Sequence, residues 1–233
     1  MSGRLILVAG PIGNLGDLSP RAVQALSDSD VWVVEDTRIS AKLAAHLGLK
    51  KPMRVMNEHT PPAKIESYAK DVEEGSTVVV LTDGGAPGIS DPGALLVDVC
   101  LDSGLEVDAI PGPSAVVNAL MLSGFYAQRF AFLGFLPRKA GPAKTELSPF
   151  AESTSTIVLF ESPHRIDATL GVCAQSLGSR RYAICRELTK MHQQVFRGVL
   201  PDLPSEKDVP RRGEFTLVIE GLRRNRDAEL QAW

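Results

Sequence analysis

Residues 5–35 read LILVAGPIGNLGDLSPRAVQALSDSDVWVVE, and this stretch decides the fold class. An apolar run of strand type is followed by a loop with glycines at 10, 13 and 16. Ser19-Pro20 then has the signature of a helix start, a capping serine before a first-turn proline. Val23 and Leu26 lie on one face of that helix, and a second apolar run follows at 31–34. Strand, loop, helix and strand in this order predict a parallel sheet flanked by helices. Working outward, further apolar runs occur at 78–81 and 107–110, with a weaker one at 53–56. Asp91-Pro92 predicts another helix start, carrying Leu95, Leu96, Val99 and Cys100 toward the core. Gly48, Gly75 and Gly104 sit where helices should stop. A helix after Pro113 is expected to end near Gly124.

The second half changes character. Strand-like runs appear at 130–135, 156–160, 182–185 and 215–219, with one clear long helix at about 166–177. The proline-rich gaps at 136–149 and 200–210 read as loops. The expectation is an α/β protein of two αβα domains, the first with a parallel sheet and the second with a mixed one. The domains are placed at 1–112 and 113–222, with a polar tail at 223–233 that frays or forms a short helix.

The 233 residues suffice for real cores without disulfide or metal staples. Three widely spaced cysteines (Cys100, Cys173 and Cys185) without a CxxC pair argue against a disulfide framework or zinc site and suit a reducing cytoplasm. His46, His59 and His192 show no ligand spacing, so no metal is expected. No apolar run reaches the length of a membrane span. The net charge of −3 conceals an asymmetry, −7 over residues 1–110 and +4 over 111–233. Chance and solvated surface account for such a split as readily as a polyanionic partner does.

Three Gly/Pro-rich loops each follow a predicted strand: 10–16 (GPIGNLG), 83–88 (DGGAPG) and 111–115 (PGPSA). In a parallel sheet such loops converge on one edge, where ligands bind, although tight turns alone also require these residues. A dinucleotide fits poorly. The glycines are spaced GxxGxxG rather than GxGxxG, and Pro11 and Pro87 remove amide donors from a phosphate cradle. An adenosine ligand without phosphate, such as S-adenosylmethionine, suits them better.

Four strings in the first half, PIGNLGDL at 11–18, EDTR at 35–38, PGISDPG at 87–93 and PGPSA at 111–115, closely resemble the tetrapyrrole methylase superfamily. The second half adds GFLP at 134–137, ESPHR at 161–165 and RELTK at 186–190. Within the superfamily the match is to the branch that methylates a cytidine ribose 2′-hydroxyl in 16S ribosomal RNA. The resemblance spans about residues 4–221. It implies a cytoplasmic enzyme, usually a homodimer, that binds S-adenosylmethionine in a cleft between two α/β domains. The implied cofactor contacts are Pro11, Asp83, Gly84, Gly85, Ala86, Ile89, Ser114 and Ala115 from the loops. Phe160, Glu214, Phe215 and Thr216 come from the second domain. Ala86 departs from the family's usual threonine, and family members commonly continue in a helical segment beyond the position of Gly221. Two other activities share the fold: C-methylation of a tetrapyrrole ring, and ligand binding without chemistry.

A ribose 2′-hydroxyl is a weak nucleophile that benefits from a base or a cation. Glu35, Asp36, Glu187 and Lys190 occupy motif positions near strand ends. For Glu35-Asp36 a helix cap with a domain-bridging ion pair is an equally good reading. Lys190 is either a desolvated lysine of lowered pKa or a phosphate contact. His164 reads as a capping or packing residue. For RNA of the small ribosomal subunit, the candidates are Arg138, Lys139, Arg165, Arg186 and Arg197 in basic loops. Lys144, Arg180, Arg181 and Arg211-Arg212 add to the same charge.

Overall fold

The computed structural model describes residues 3–223. They divide after Ser114 into two compact units, and the larger part of the expected tail lies outside the described residues.

The first unit is built on β1 (Arg4–Val8), β2 (Val31–Val34), β3 (Met53–Val55), β4 (Thr77–Leu81) and β5 (Glu106–Ile110). All four pairings are parallel, in the order β3-β2-β4-β1-β5. Strand periodicity sorts the core into two layers. Ile6, Val8, Trp32 and Val34 face α1 (Pro20–Asp28) and α2 (Thr37–His46). Leu5, Val31 and Val33 face α3 (Pro62–Glu73) and α4 (Ala94–Asp102). Strands buried on both faces need apolar residues at every position, which is why the runs at 31–34 and 78–81 do not alternate with polar residues. Trp32 is fully buried, and its indole N–H donates to the Leu26 carbonyl at 3.1 Å, fastening the end of α1 to the sheet.

Ser19 caps α1 as its sequence predicts, its hydroxyl accepting from the Ala22 amide at 3.1 Å. The helix expected at Asp91-Pro92 instead begins at Ala94. Gly93, at φ +139°, takes a conformation that no helix continues, so residues 88–93 remain in the loop.

The second unit holds β6 (Phe130–Phe135), β7 (Thr156–Glu161), β8 (Arg181–Arg186), β9 (Gln194–Val199) and β10 (Phe215–Ile219). The order is β6-β7-β10-β8-β9, with β6 and β7 parallel and the remaining pairs antiparallel. This is the expected mixed sheet. α6 (Ala140–Leu147) and α7 (Ile166–Leu177) cover one face through Ile157, Leu159, Tyr182, Ile184 and Leu217. α5 (Ala115–Ser123) packs on β8 and β10, where the Cys185 thiol reaches the Ala119 carbonyl at 3.8 Å.

In the second unit two elements differ from expectation. The 136–149 gap contains α6, because Pro142 lies in the first helical turn, where no amide donor is needed. β9 has no counterpart among the expected strands. It is an edge strand alternating between half-buried and exposed positions, so its apolar content is low. Gly198 within it admits the Tyr182 ring, since a Cβ there would lie 2.6 Å from the ring. All three cysteines are buried and free, and burial pushes the thiols of Cys173 and Cys185 up to about 12. They are packing residues.

Candidate active site

The three loops leave β1, β4 and β5, which are neighbours in the sheet, and so meet at one edge. Their contact is direct. Gly10 and Gly85 exchange both backbone hydrogen bonds, at 2.8 and 3.2 Å, joining the first loop to the second. The third loop lies against the end of β1 so closely that a Cβ on Gly112 would come 2.7 Å from the Ala9 carbonyl oxygen. Gly85 sits at φ +86°, and its α-carbon faces the Ile12 side chain. Gly112 is therefore required by loop-on-loop packing, and Gly85 by its left-handed backbone conformation.

Pro11 is half-buried at this edge and Ile89 is 52% exposed, an apolar side chain presented to solvent from the second loop. Gly84 and Ala86 have backbone amides with no backbone partner among the described residues. Ser114 and Ala115 follow, the latter opening α5. Here apolar surface, free amide donors and carboxylates coexist without a phosphate cradle. That combination fits an amino-acid-bearing adenosine such as S-adenosylmethionine: amides for its carboxylate, carboxylates for its cationic groups.

Acidic groups crowd the same edge. The Asp83 amide donates to Glu35 at 3.5 Å, and the Thr82 hydroxyl donates to Asp91 at 3.2 Å. Burial raises the Asp83 pKa, with Glu35 adding to it. Burial likewise pushes Asp91 up to about 6, again reinforced by Glu35. Asp91 was legible in the sequence only as a residue at a helix start; its place beside Thr82 emerges from the loop's path after Gly88.

This has a measurable consequence. The folded unit holds the Asp91 proton more tightly than the unfolded chain does. Stability is therefore fully present below the unfolded carboxylate range, near pH 4, and is lost as pH rises through about 6. Asp91→Asn keeps a group able to accept from Thr82 and removes the charge. At about pH 7.5 it is expected to stabilise the unit by about 1 kcal/mol after allowance for solvent screening. Urea midpoints at about pH 5 and 7.5 check this; identical pH slopes in variant and wild type would count against it.

The four proposed catalytic groups separate. Asp36 caps α2, accepting from the Arg38 amide at 2.8 Å, and hydrogen bonds from the Arg38 side chain hold its carboxyl down at about 2. The cap is realised, whereas the ion pair is local, to Arg38 two residues away, instead of the domain-bridging one expected. Glu187 accepts from the Glu214 amide at 3.0 Å and from Lys190 at 3.1 Å, which together lower its pKa. Burial disfavours the Lys190 ammonium, yet hydrogen bonds to Glu214 and Glu187 outweigh it and the pKa is raised. This shift runs opposite to the lowered-pKa reading, because Lys190 has two carboxylate partners that favour its charged form. Glu35 is the candidate left with its carboxylate at the loop edge.

In the second unit, Phe160 stacks edge-on against Phe132 with centroids 4.8 Å apart. Thr216 lies opposite it on β10, and Phe215 is buried beside Glu161. Glu214 is exposed at the start of that strand, with its carboxylate 2.9 Å from Lys190. The expected RNA contacts fare unequally. Arg186 is 6% exposed and donates to the Arg212 carbonyl at 3.3 Å, a structural arginine rather than a surface one. Arg180, Arg181 and Arg211 are likewise committed, to backbone carbonyls of 177 and 151, to Glu220 and to Asp167 respectively. Arg197 lies 5.0 Å over the Phe125 ring. Arg138 and Lys139 are exposed, without a side-chain partner among the described residues. His164 is exposed just before α7, whose N-cap is Arg165, so it is neither cap nor packing residue. No cluster of metal-binding side chains occurs among the described residues, and none of their helices is long and apolar enough to cross a membrane.

Comparison with known proteins places this arrangement. The chain is 43% identical over 223 residues to ribosomal RNA small subunit methyltransferase I of Mycobacterium tuberculosis (strain ATCC 25618 / H37Rv), covering 94% of this chain and 78% of that protein. The Thermotoga maritima protein of the same name is 41% identical over 221 residues, covering 94% and 99%. Among solved structures, uroporphyrin-III C-methyltransferase from Thermus thermophilus, complexed with S-adenosyl homocysteine, shares the fold. Its TM-score is 0.66 at 19% identity, over 94% of this chain and 97% of that one. Diphthine synthase shares it too, with a TM-score of 0.65 at 14% identity over 93% and 90%. Residues 4–204 match the model of the tetrapyrrole (corrin/porphyrin) methylases, and with two αβα units, three interlocked glycine loops and relatives at this identity, the chain belongs to that family.

Proposed function

We propose that this protein is an S-adenosylmethionine-dependent methyltransferase acting on 16S ribosomal RNA, with a cytidine ribose 2′-hydroxyl as methyl acceptor. The observation that carries the reading is the identity of 43% across 94% of the chain to a relative named for small-subunit ribosomal RNA. The cofactor supplies an electrophilic methyl group when bound. Pro11, the 83–86 loop, Ile89, Ser114 and Ala115 hold it, with Phe160, Glu214, Phe215 and Thr216 assigned as further contacts. The free amides of Gly84 and Ala86 suit its carboxylate, and the loss of the hydroxyl at Ala86 leaves backbone donors in that role. Glu35 is assigned as acceptor of the hydroxyl proton, supported by its place beside Asp83 and by the engagement of Asp36 and Glu187 elsewhere. Methyl transfer requires positioning above all, and rigid glycine loops provide that. Two further parts of the reading are a homodimer and a cytoplasmic location.

Mass mapping of small-subunit RNA nucleosides from cells with and without the gene tests the reading. A 2′-O-methylcytidine present only with the protein is expected. Unmethylated RNA after incubation with cofactor-loaded protein, or activity on a tetrapyrrole without RNA, would reject it.

A further inference from the structure

The second unit contains a pocket of about 320 Å³ between the turn after β6 and the start of α7. Its floor is apolar, formed by Leu136, Ala143 and Val172, and its rim is basic, carrying Arg138, His164 and Arg165. The volume falls at the lower end of small-ligand pockets, about 300–1,000 Å³. It has room for a mononucleotide and far more than a lone phosphate needs.

The rim is built rather than incidental. Arg165 donates to the Leu136 carbonyl at 2.6 Å, and its Nε lies 3.4 Å from Glu161. The Glu161 side chain is fully buried beneath the rim, where it also accepts from the Ser162 amide and the Thr169 hydroxyl. The guanidinium is thus fixed in place while other N–H donors stay available. Arg138 is exposed and unpartnered among the described residues, in a unit where Arg180, Arg181, Arg186 and Arg211 are all committed internally. Asp167, in the first turn of α7, is paired with Arg211. Lys139 and Arg165 are the N-caps of α6 and α7, neither of which has a side-chain cap, so both helix dipoles add positive potential around the pocket.

We propose that this pocket seats one unpaired nucleotide of the RNA substrate. The phosphate rests on Arg138 and Arg165, and the ribose and base lie over Leu136, Ala143 and Val172. The inference rests on the ribosomal RNA reading above and adds where the strand is gripped. An apolar floor under a cationic rim matches a nucleotide taken out of its stack, which is how proteins read single-stranded RNA.

Arg138→Gln and Ala168→Trp test it, both at exposed positions of the pocket wall, with urea midpoints confirming an intact fold. The first readout is fluorescence anisotropy of a labelled single-stranded RNA hexamer. Each variant is expected to bind roughly tenfold more weakly than wild type, and Arg138→Gln to reduce the salt slope by about one. The second readout is methyl transfer to small ribosomal subunits, where KM for the subunit should rise while cofactor affinity holds. Hexamer binding equal to wild type in both variants overturns the proposal. If KM rises while hexamer binding is unchanged, the surface contacts a ribosomal protein instead, which also overturns it. Wild-type protein that transfers no methyl to ribosomal RNA rejects the proposed function, and the hexamer titration alone then decides the pocket.

Discussion

Gly112→Ala is expected to weaken S-adenosylmethionine binding by roughly tenfold or more, about 1.4 kcal/mol, and to lower methyl transfer with it. The reason is steric and local. The new Cβ would stand 2.7 Å from the Ala9 carbonyl oxygen and 3.0 Å from the Ala9 Cβ. Both belong to Ala9, which follows β1 and is tied to β5 by its amide hydrogen bond to the Ile110 carbonyl at 3.2 Å, so relief comes from moving the third loop away from the first. Pro111 and Pro113 flank the glycine and restrict how the chain re-routes, so Ser114 and Ala115 move as well. Gly104→Ala serves as a control. At that glycine, with φ +68°, an added methyl would meet nothing within 4 Å, so alanine there costs about 1 kcal/mol of backbone strain without touching the loops. Isothermal titration of the cofactor into both variants separates the effects. Equal affinities for the two would show that the third loop does not contribute to the site.

Glu161→Ala is expected to destabilise the second unit by about 3 kcal/mol and to weaken RNA binding in parallel. The carboxylate is fully buried, accepts from the Ser162 amide at 2.7 Å and from the Thr169 hydroxyl, and forms an ion pair with Arg165 at 3.4 Å. Alanine leaves the Ser162 and Thr169 donors without their buried acceptor and removes the anion that Arg165 pairs with. Glu161→Gln retains an acceptor and should cost less than half as much. Urea unfolding followed by fluorescence measures the stability. A loss below about 1 kcal/mol for Glu161→Ala would show that water replaces the carboxylate, and that Arg165 needs no such anchor.

The local signals in the sequence were reliable where one physical constraint acted alone. Ser19-Pro20 starts α1, and the apolar runs at 31–34 and 215–219 are strands buried throughout. Failures occurred where two constraints compete. Asp91-Pro92 has the local form of a helix start, but Gly93 at φ +139° keeps the chain in the loop and delivers Asp91 to Thr82. Pro142 marks a break in most contexts and is harmless in the first turn of α6. β9 escaped because an edge strand with one exposed face needs few apolar residues.

The candidate site divides along the same line. The glycine and proline pattern of the three loops was sufficient to predict that they meet and to exclude a phosphate cradle, since both follow from strand order and from missing amides. Charge was a different matter. The excess of +4 in residues 111–233 says nothing about which cations are available. Pairing decides that: Arg186 faces the Arg212 carbonyl and Arg211 faces Asp167, whereas Arg138 is free among the described residues. Lys190 is held between Glu187 and Glu214, the latter 24 residues away along the chain, and so remains charged. Sequence alone thus determined most of the elements, the three loops and the family, because periodicity, capping and backbone freedom are local. Only the tertiary structure decided which acids have raised or lowered pKa values and which arginines are available, because those depend on partners distant in sequence and on burial.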